Sequence, residues 1–110
     1  MQRTAKYYTF NQNNSGGIFY DRPKSGISAT VIIEARSAKE ANRLAEDIGI
    51  YFDGCDNGID CECCGNRWYR VSDDDGYDVP SIYGTPVEPG TNRWGSNVYL
   101  HKLDGTFEVI

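Results

Sequence analysis

The chain has no apolar run that approaches membrane-spanning length, and its first six residues, Met-Gln-Arg-Thr-Ala-Lys, lead into no apolar segment. That pattern predicts neither a spanning helix nor a secretory leader, and places the chain in the cytosol that makes it. It has one histidine. A lone histidine removes paired-histidine metal sites, and no Ser, His and Asp arrangement supports hydrolytic chemistry. Cations are also scarce: Lys and Arg number 11 against 16 Asp and Glu, for a formal net charge of -5. Nonspecific duplex binding runs on neutralised phosphates, so it is excluded as the main activity. A local pocket for a small anion and an acidic face for a basic partner both remain open.

At 110 residues the chain has length for one domain and one core. Twelve glycines and eight tyrosines point to many turns and to aromatic surface. The pattern begins with a strand at Lys6–Asn11, Tyr8 and Phe10 on one face and Tyr7 and Thr9 on the other. Residues 12–17 break it, residues 18–20 suit a short strand, and residues 21–26 form a second polar loop. Residues 28–35 contain Val31-Ile32-Ile33, the mark of a central strand covered on both faces.

Ser37 with Glu40 three residues on reads as a capping box. Ala38, Ala41, Leu44, Ala45 and Ile48 then recur at helical spacing until Gly49 stops the helix. Residues 67–72 read as a strand, Asp73-Asp74-Asp75-Gly76 as a solvated turn, and residues 79–87, with two prolines, as an edge strand or ordered loop. Residues 88–97 are loop anchored by Trp94, and residues 98–103 and 106–110 make a hairpin across a tight primed Asp104-Gly105 turn. The order predicts a single α+β domain over residues 1–110: an antiparallel or mixed sheet, one packed helix, a cysteine-bearing loop and a C-terminal hairpin.

All four cysteines fall between Ile50 and Arg70. Cys61 and Cys64 have the spacing of a zinc half-site, with Gly65 at the strained corner. The second Cys-x-x-Cys is missing. Cys55 would be a third ligand, and Cys63, His101 or a nearby Asp the fourth; the competing reading is buried free thiols. Asn13, Asn14, Ser15, Gly16 and Gly17 suit an anion nest of backbone amides without the lysine and helix of a P-loop. Arg67-Trp68-Tyr69-Arg70 is expected to present both arginines on one face, where paired guanidinium groups fit phosphate or carboxylate.

Tyr-Tyr-Thr-Phe-Asn-Gln-Asn-Asn-Ser-Gly-Gly, Val-Ile-Ile-Glu-Ala, Tyr-Phe-Asp-Gly-Cys and Asp-Cys-Glu-Cys-Cys-Gly-Asn-Arg-Trp-Tyr resemble a family of small bacteriophage proteins of unassigned function. The resemblance spans roughly residues 6 to 87, implies a virus-encoded protein acting in the bacterial cytosol, and brings no catalytic residues. The expectation is a binding protein, not an enzyme, that acts against host defence by capturing a nucleotide-like or anionic signal. Two alternatives stand beside it: an inhibitor that meets a host protein through the acidic residues 73–78, and a small zinc- or thiol-dependent enzyme. A homo-oligomer is left open.

Overall fold

Ser37 sits in extended backbone (φ -157°, ψ 163°), and its Oγ accepts the Glu40 amide at 3.1 Å. The reciprocal half of the predicted box is shifted by one residue, because the Glu40 carboxylate takes the Arg36 amide, at 2.9 Å. From this cap, helix α1 runs Ala38–Ile48. Gly49 ends it in the left-handed region at φ 115°, with its amide on Glu46 and the Ile50 amide on Ala45. That pair of bonds is a Schellman closure, and a side chain at this φ would be strained. Asp73 caps α1 a second time, its Oδ1 accepting the Ala38 amide at 2.9 Å. Since that second cap survives, Ser37→Ala should cost about 1 kcal/mol in a denaturant titration.

This computed structural model describes residues 5–13, 21–60, 65–82, 84–87 and 98–110. Strand β1 (Lys6–Asn11) pairs antiparallel with β2 (Thr30–Ala35), β2 pairs parallel with β5 (Val98–His101), and β5 pairs antiparallel with β6 (Phe107–Val109). The four-stranded sheet is therefore mixed, in the order β1-β2-β5-β6. A separate two-stranded ladder of β3 (Ser81–Ile82) and β4 (Thr85–Pro86) packs Ile82 against the main sheet. Together these are the α+β arrangement that the pattern predicts.

β2 is covered on both faces. Val31 and Ile33 pack with Tyr8, Phe10, Phe52, Trp68 and the helix alanines Ala38, Ala41 and Ala45. Ile32 packs on the other side with Ile82, Val87, Val98, Leu100 and Ile110, and Tyr7 leans on that cluster. The alternation in β1 is likewise as the sequence predicts, Tyr8 and Phe10 being buried on the helix side.

Two local expectations need correction. Among the described residues, 67–72 form no strand: the chain is held by side chains rather than by a ladder. The β5–β6 turn is not the two-residue primed form. Lys102 and Thr106 close it (Lys102 N–H to Thr106 O, 2.8 Å), the Gly105 amide returns to Lys102 O, and Gly105 sits at φ 90°. This three-residue loop puts only its last position at positive φ, so Asp104 keeps an ordinary conformation. The short strand expected at residues 18–20 and the Trp94 loop lie outside the described residues.

Candidate functional site

Arg67 points inward. Its Nε donates to the Tyr51 hydroxyl at 3.0 Å and its Nη1 to the Gln12 side-chain carbonyl at 2.7 Å. Its Nε also lies 3.7 Å from an Asp60 carboxylate whose side chain is 1% exposed. Asp60 in turn accepts the Tyr51 hydroxyl at 2.7 Å and the Arg67 backbone amide at 2.7 Å. Burial, and then the Asp60 bond, push the Tyr51 phenol up from its ordinary range. A buried carboxylate needs this many donors, since an unpaired one would cost several kcal/mol.

The same knot ties three stretches of chain. The Asn13 amide donates to Arg67 O at 2.8 Å and its side chain to Asn66 O at 3.1 Å. The Cys55 amide donates to the Asn66 side chain at 2.9 Å, and Gln12 reaches Ser28 O. Gly54 must be glycine here, because a Cβ would run into the Asp60 carboxylate.

Arg70 points the other way. Its guanidinium carbon lies 4.9 Å from the Phe52 ring centre, and Nη2 is 2.9 Å from an Asp53 carboxylate. That bond to Arg70 lowers the Asp53 carboxyl and raises the Arg70 guanidinium, both exposed to water. Asp53 holds a positive φ of 59°, a conformation that Asp tolerates better than most residues. Phe52 itself packs on Phe10, so the plate under the guanidinium belongs to the core.

Two depressions meet at Arg70. One, of about 310 Å³, lies between the end of β1 and the chain near Asp75, with Thr9, Asn11, Tyr69, Arg70, Asp75 and Tyr77 around it. Tyr69 is 57% exposed and Tyr77 40%, so both rings face solvent. The second, of about 790 Å³, runs along the first turns of α1 past Lys39, Asn42 and Arg43. The wall between them is Val71, whose backbone is gripped from both sides by Asn42: Asn42 Nδ2 to Val71 O at 3.0 Å, and Val71 N to Asn42 Oδ1 at 2.9 Å.

Of the residues that the sequence singles out for an anion, the structure thus separates Arg67 from Arg70 and splits the aromatics, Trp68 being buried and Tyr69 exposed. Arg67 is committed to an internal carboxylate, whereas Arg70 is presented in a cleft. Asn13 lies beside Arg67, and Asn14, Ser15, Gly16 and Gly17 fall outside the described residues. So do Cys61, Cys63 and Cys64; Cys55 is half-buried. His101 is spent elsewhere: its Nε2–H donates to Gly26 O at 2.8 Å, and burial lowers its pKa. Tyr77, Phe52 and Asp53 carry no sequence signal beyond being aromatic or acidic, and the reading missed all three.

The family model described as Domain of unknown function (DUF7296) matches residues 5–110. The chain belongs to the DUF7296 family. No curated protein and no solved structure matches it. In this DUF7296 chain the match takes in both the Arg67 knot and the Arg70 cleft. Among the described residues, no helix is long and apolar enough to cross a membrane.

Proposed function

We propose that this DUF7296 domain is a binding protein rather than an enzyme, and that it captures a small nucleotide-like anion in the cleft at Arg70. One observation carries the reading: a guanidinium stacked on Phe52, anchored by a single carboxylate, opens on a cleft flanked by two exposed phenol rings. Stacking fixes the plane of the guanidinium, so its remaining donors meet an oxyanion with little further ordering. Tyr69 and Tyr77 offer flat apolar surface for a base, and Asn11 offers a side-chain amide that a base edge would bond. The resemblance to small bacteriophage proteins supports placing this capture in the cytosol of an infected bacterium, as interference with a host defence signal.

Calorimetry against linear and cyclic nucleotides tests the proposal. At least one should bind, and Arg70→Ala should weaken it about 10- to 100-fold, the worth of a charge-assisted hydrogen bond. No heat with any nucleotide, or unchanged affinity in Arg70→Ala, overturns it.

The alternative of an acidic docking surface has less to offer. Asp73 caps α1, Asp75 holds the Ser72 amide and hydroxyl, and Asp78 pairs with Lys6 at 3.5 Å. Asp73 and Asp75 are thus bonded within the chain, whereas the Asp78 side chain, 89% exposed, keeps its face to water.

A structural zinc on Cys55, Cys61, Cys63 and Cys64 belongs to the same proposal as its scaffold. The support is the half-site spacing, together with a Cys55 whose amide is bonded to Asn66, two residues past Cys64. Protein purified without chelator should carry about one zinc per chain and melt lower once it is removed. Metal-free protein, or melting unchanged by chelation, removes zinc and leaves the Arg70 cleft standing.

A further inference from the structure

We propose that β6 is a self-association edge: two copies of the chain join β6 to β6 in antiparallel fashion about a twofold axis at Glu108, extending each four-stranded sheet into one of eight. The basis is which backbone groups β6 leaves over. Ile110 N–H bonds to Val98 O and Lys102 N–H to Thr106 O, each at 2.8 Å, and Glu108 stands opposite Leu100 in the register. Antiparallel pairing alternates, so residues 106, 108 and 110 face β5 while the N–H and C=O of Phe107 and Val109 point away from the sheet. Among the described residues nothing pairs with that outer edge.

The side chains next to those groups suit a second copy. Phe107 is 39% exposed and Val109 48%, on the sheet face that carries Tyr99 and His101. Phe107 meets the Tyr99 ring edge-to-face and the His101 ring at a tilt, at 5.7 and 5.0 Å between centres. Helix α1 packs over β2. With Glu108 on the axis, Phe107 falls opposite Val109 of the partner subunit, and Val109 opposite Phe107 of the partner subunit. All four outward backbone groups of each strand are then bonded, and two aromatic–branched pairs form on one face. On the other face each Glu108 pairs with its own Lys102, 3.4 Å away, and the two Glu108 side chains face each other across the axis. The two adjacent carboxylates oppose the pairing, which keeps the association weak. The occupant that this edge fits is therefore the same edge.

Sedimentation of the full chain from low micromolar to near-millimolar concentration should show a reversible monomer–dimer equilibrium. Val109→Pro deletes one outward N–H and no bond to β5, and should leave a monomer throughout. Val109→Lys, which keeps the backbone, should do the same if the proline variant fails to fold. Glu108→Thr should tighten the dimer about two- to fivefold by relieving the like charges at the axis. Amide exchange should slow with concentration at Phe107 and Val109. A chain that stays monomeric at the highest concentration, or a dimer indifferent to Val109→Lys and Glu108→Thr, overturns the proposal.

Discussion

Arg67→Ala should lower stability by about 3 kcal/mol, on the order of 10–15 °C in Tm, although the residue lies in the stretch that the sequence marks as a ligand site. The Asp60 carboxylate, 1% exposed, would lose its nearby guanidinium, and the Gln12 carbonyl would lose its donor. Tyr51 and the Arg67 amide still reach Asp60, which keeps the loss below that of a fully orphaned charge. Asp60→Asn in the same background decides whether the charge is the cause. Because it removes the carboxylate that Arg67 neutralises, the double variant should be at least 1 kcal/mol better than the sum of the two singles. Chemical denaturation of the four proteins measures this directly. A loss below about 1 kcal/mol in Arg67→Ala would mean that solvent reaches Asp60 and that the knot is not buried as described.

This fixes the division of labour between the arginines. A variant lacking both would lose binding simply by unfolding, so only Arg70, anchored by Asp53 at an exposed site, can report on the cleft. The knot still matters to the cleft. Arg67 precedes Trp68, Tyr69 and Arg70 in the chain, and among the described residues no strand ladder holds this stretch. Its position comes from Asp60 at one end and from Asn42 gripping Val71 at the other.

That also explains what could and could not be read from residues alone. The bounds of β1, the start of α1 at Ser37 and its end at Gly49 follow from alternation, cap chemistry and a positive φ, all set within four residues of the place concerned. The partners of Arg67 are 7, 16 and 55 residues away, and the Asn42 clamp reaches across 29. No period or motif carries such pairings. Period-two alternation would in any case pair Arg67 with Tyr69 rather than with Arg70. The chain here is irregular, and what divides the arginines is which one finds a buried carboxylate. At the β5–β6 turn the right residues were recognised, but the loop length is decided by where the two strands come into register.

Ala41→Glu should destabilise the domain by more than about 4 kcal/mol, enough to leave much of the chain unfolded near 37 °C. Ala41 is fully buried in the cluster that joins α1 to Val31 and Ile33 of β2. A glutamate there must either lose its hydration with no partner or lift the helix off the sheet. Lifting it would also break the Asn42 grip on Val71 and the Asp73 cap on Ala38, and so unseat the wall between the two depressions at Arg70. Alanine makes the close approach possible; Leu44 and Ile48, larger and only half-buried, take the margins. Lys39→Glu is the control, on the exposed face of the same helix near its N-terminus, where added negative charge should stay within about 0.5 kcal/mol of the parent. Thermal melts and far-ultraviolet circular dichroism of the two variants make the comparison. Equal melting of Ala41→Glu and the parent would mean that the alanine stripe is not the packing face, and the positions of Asn42, Val71 and Arg70 would fall with it.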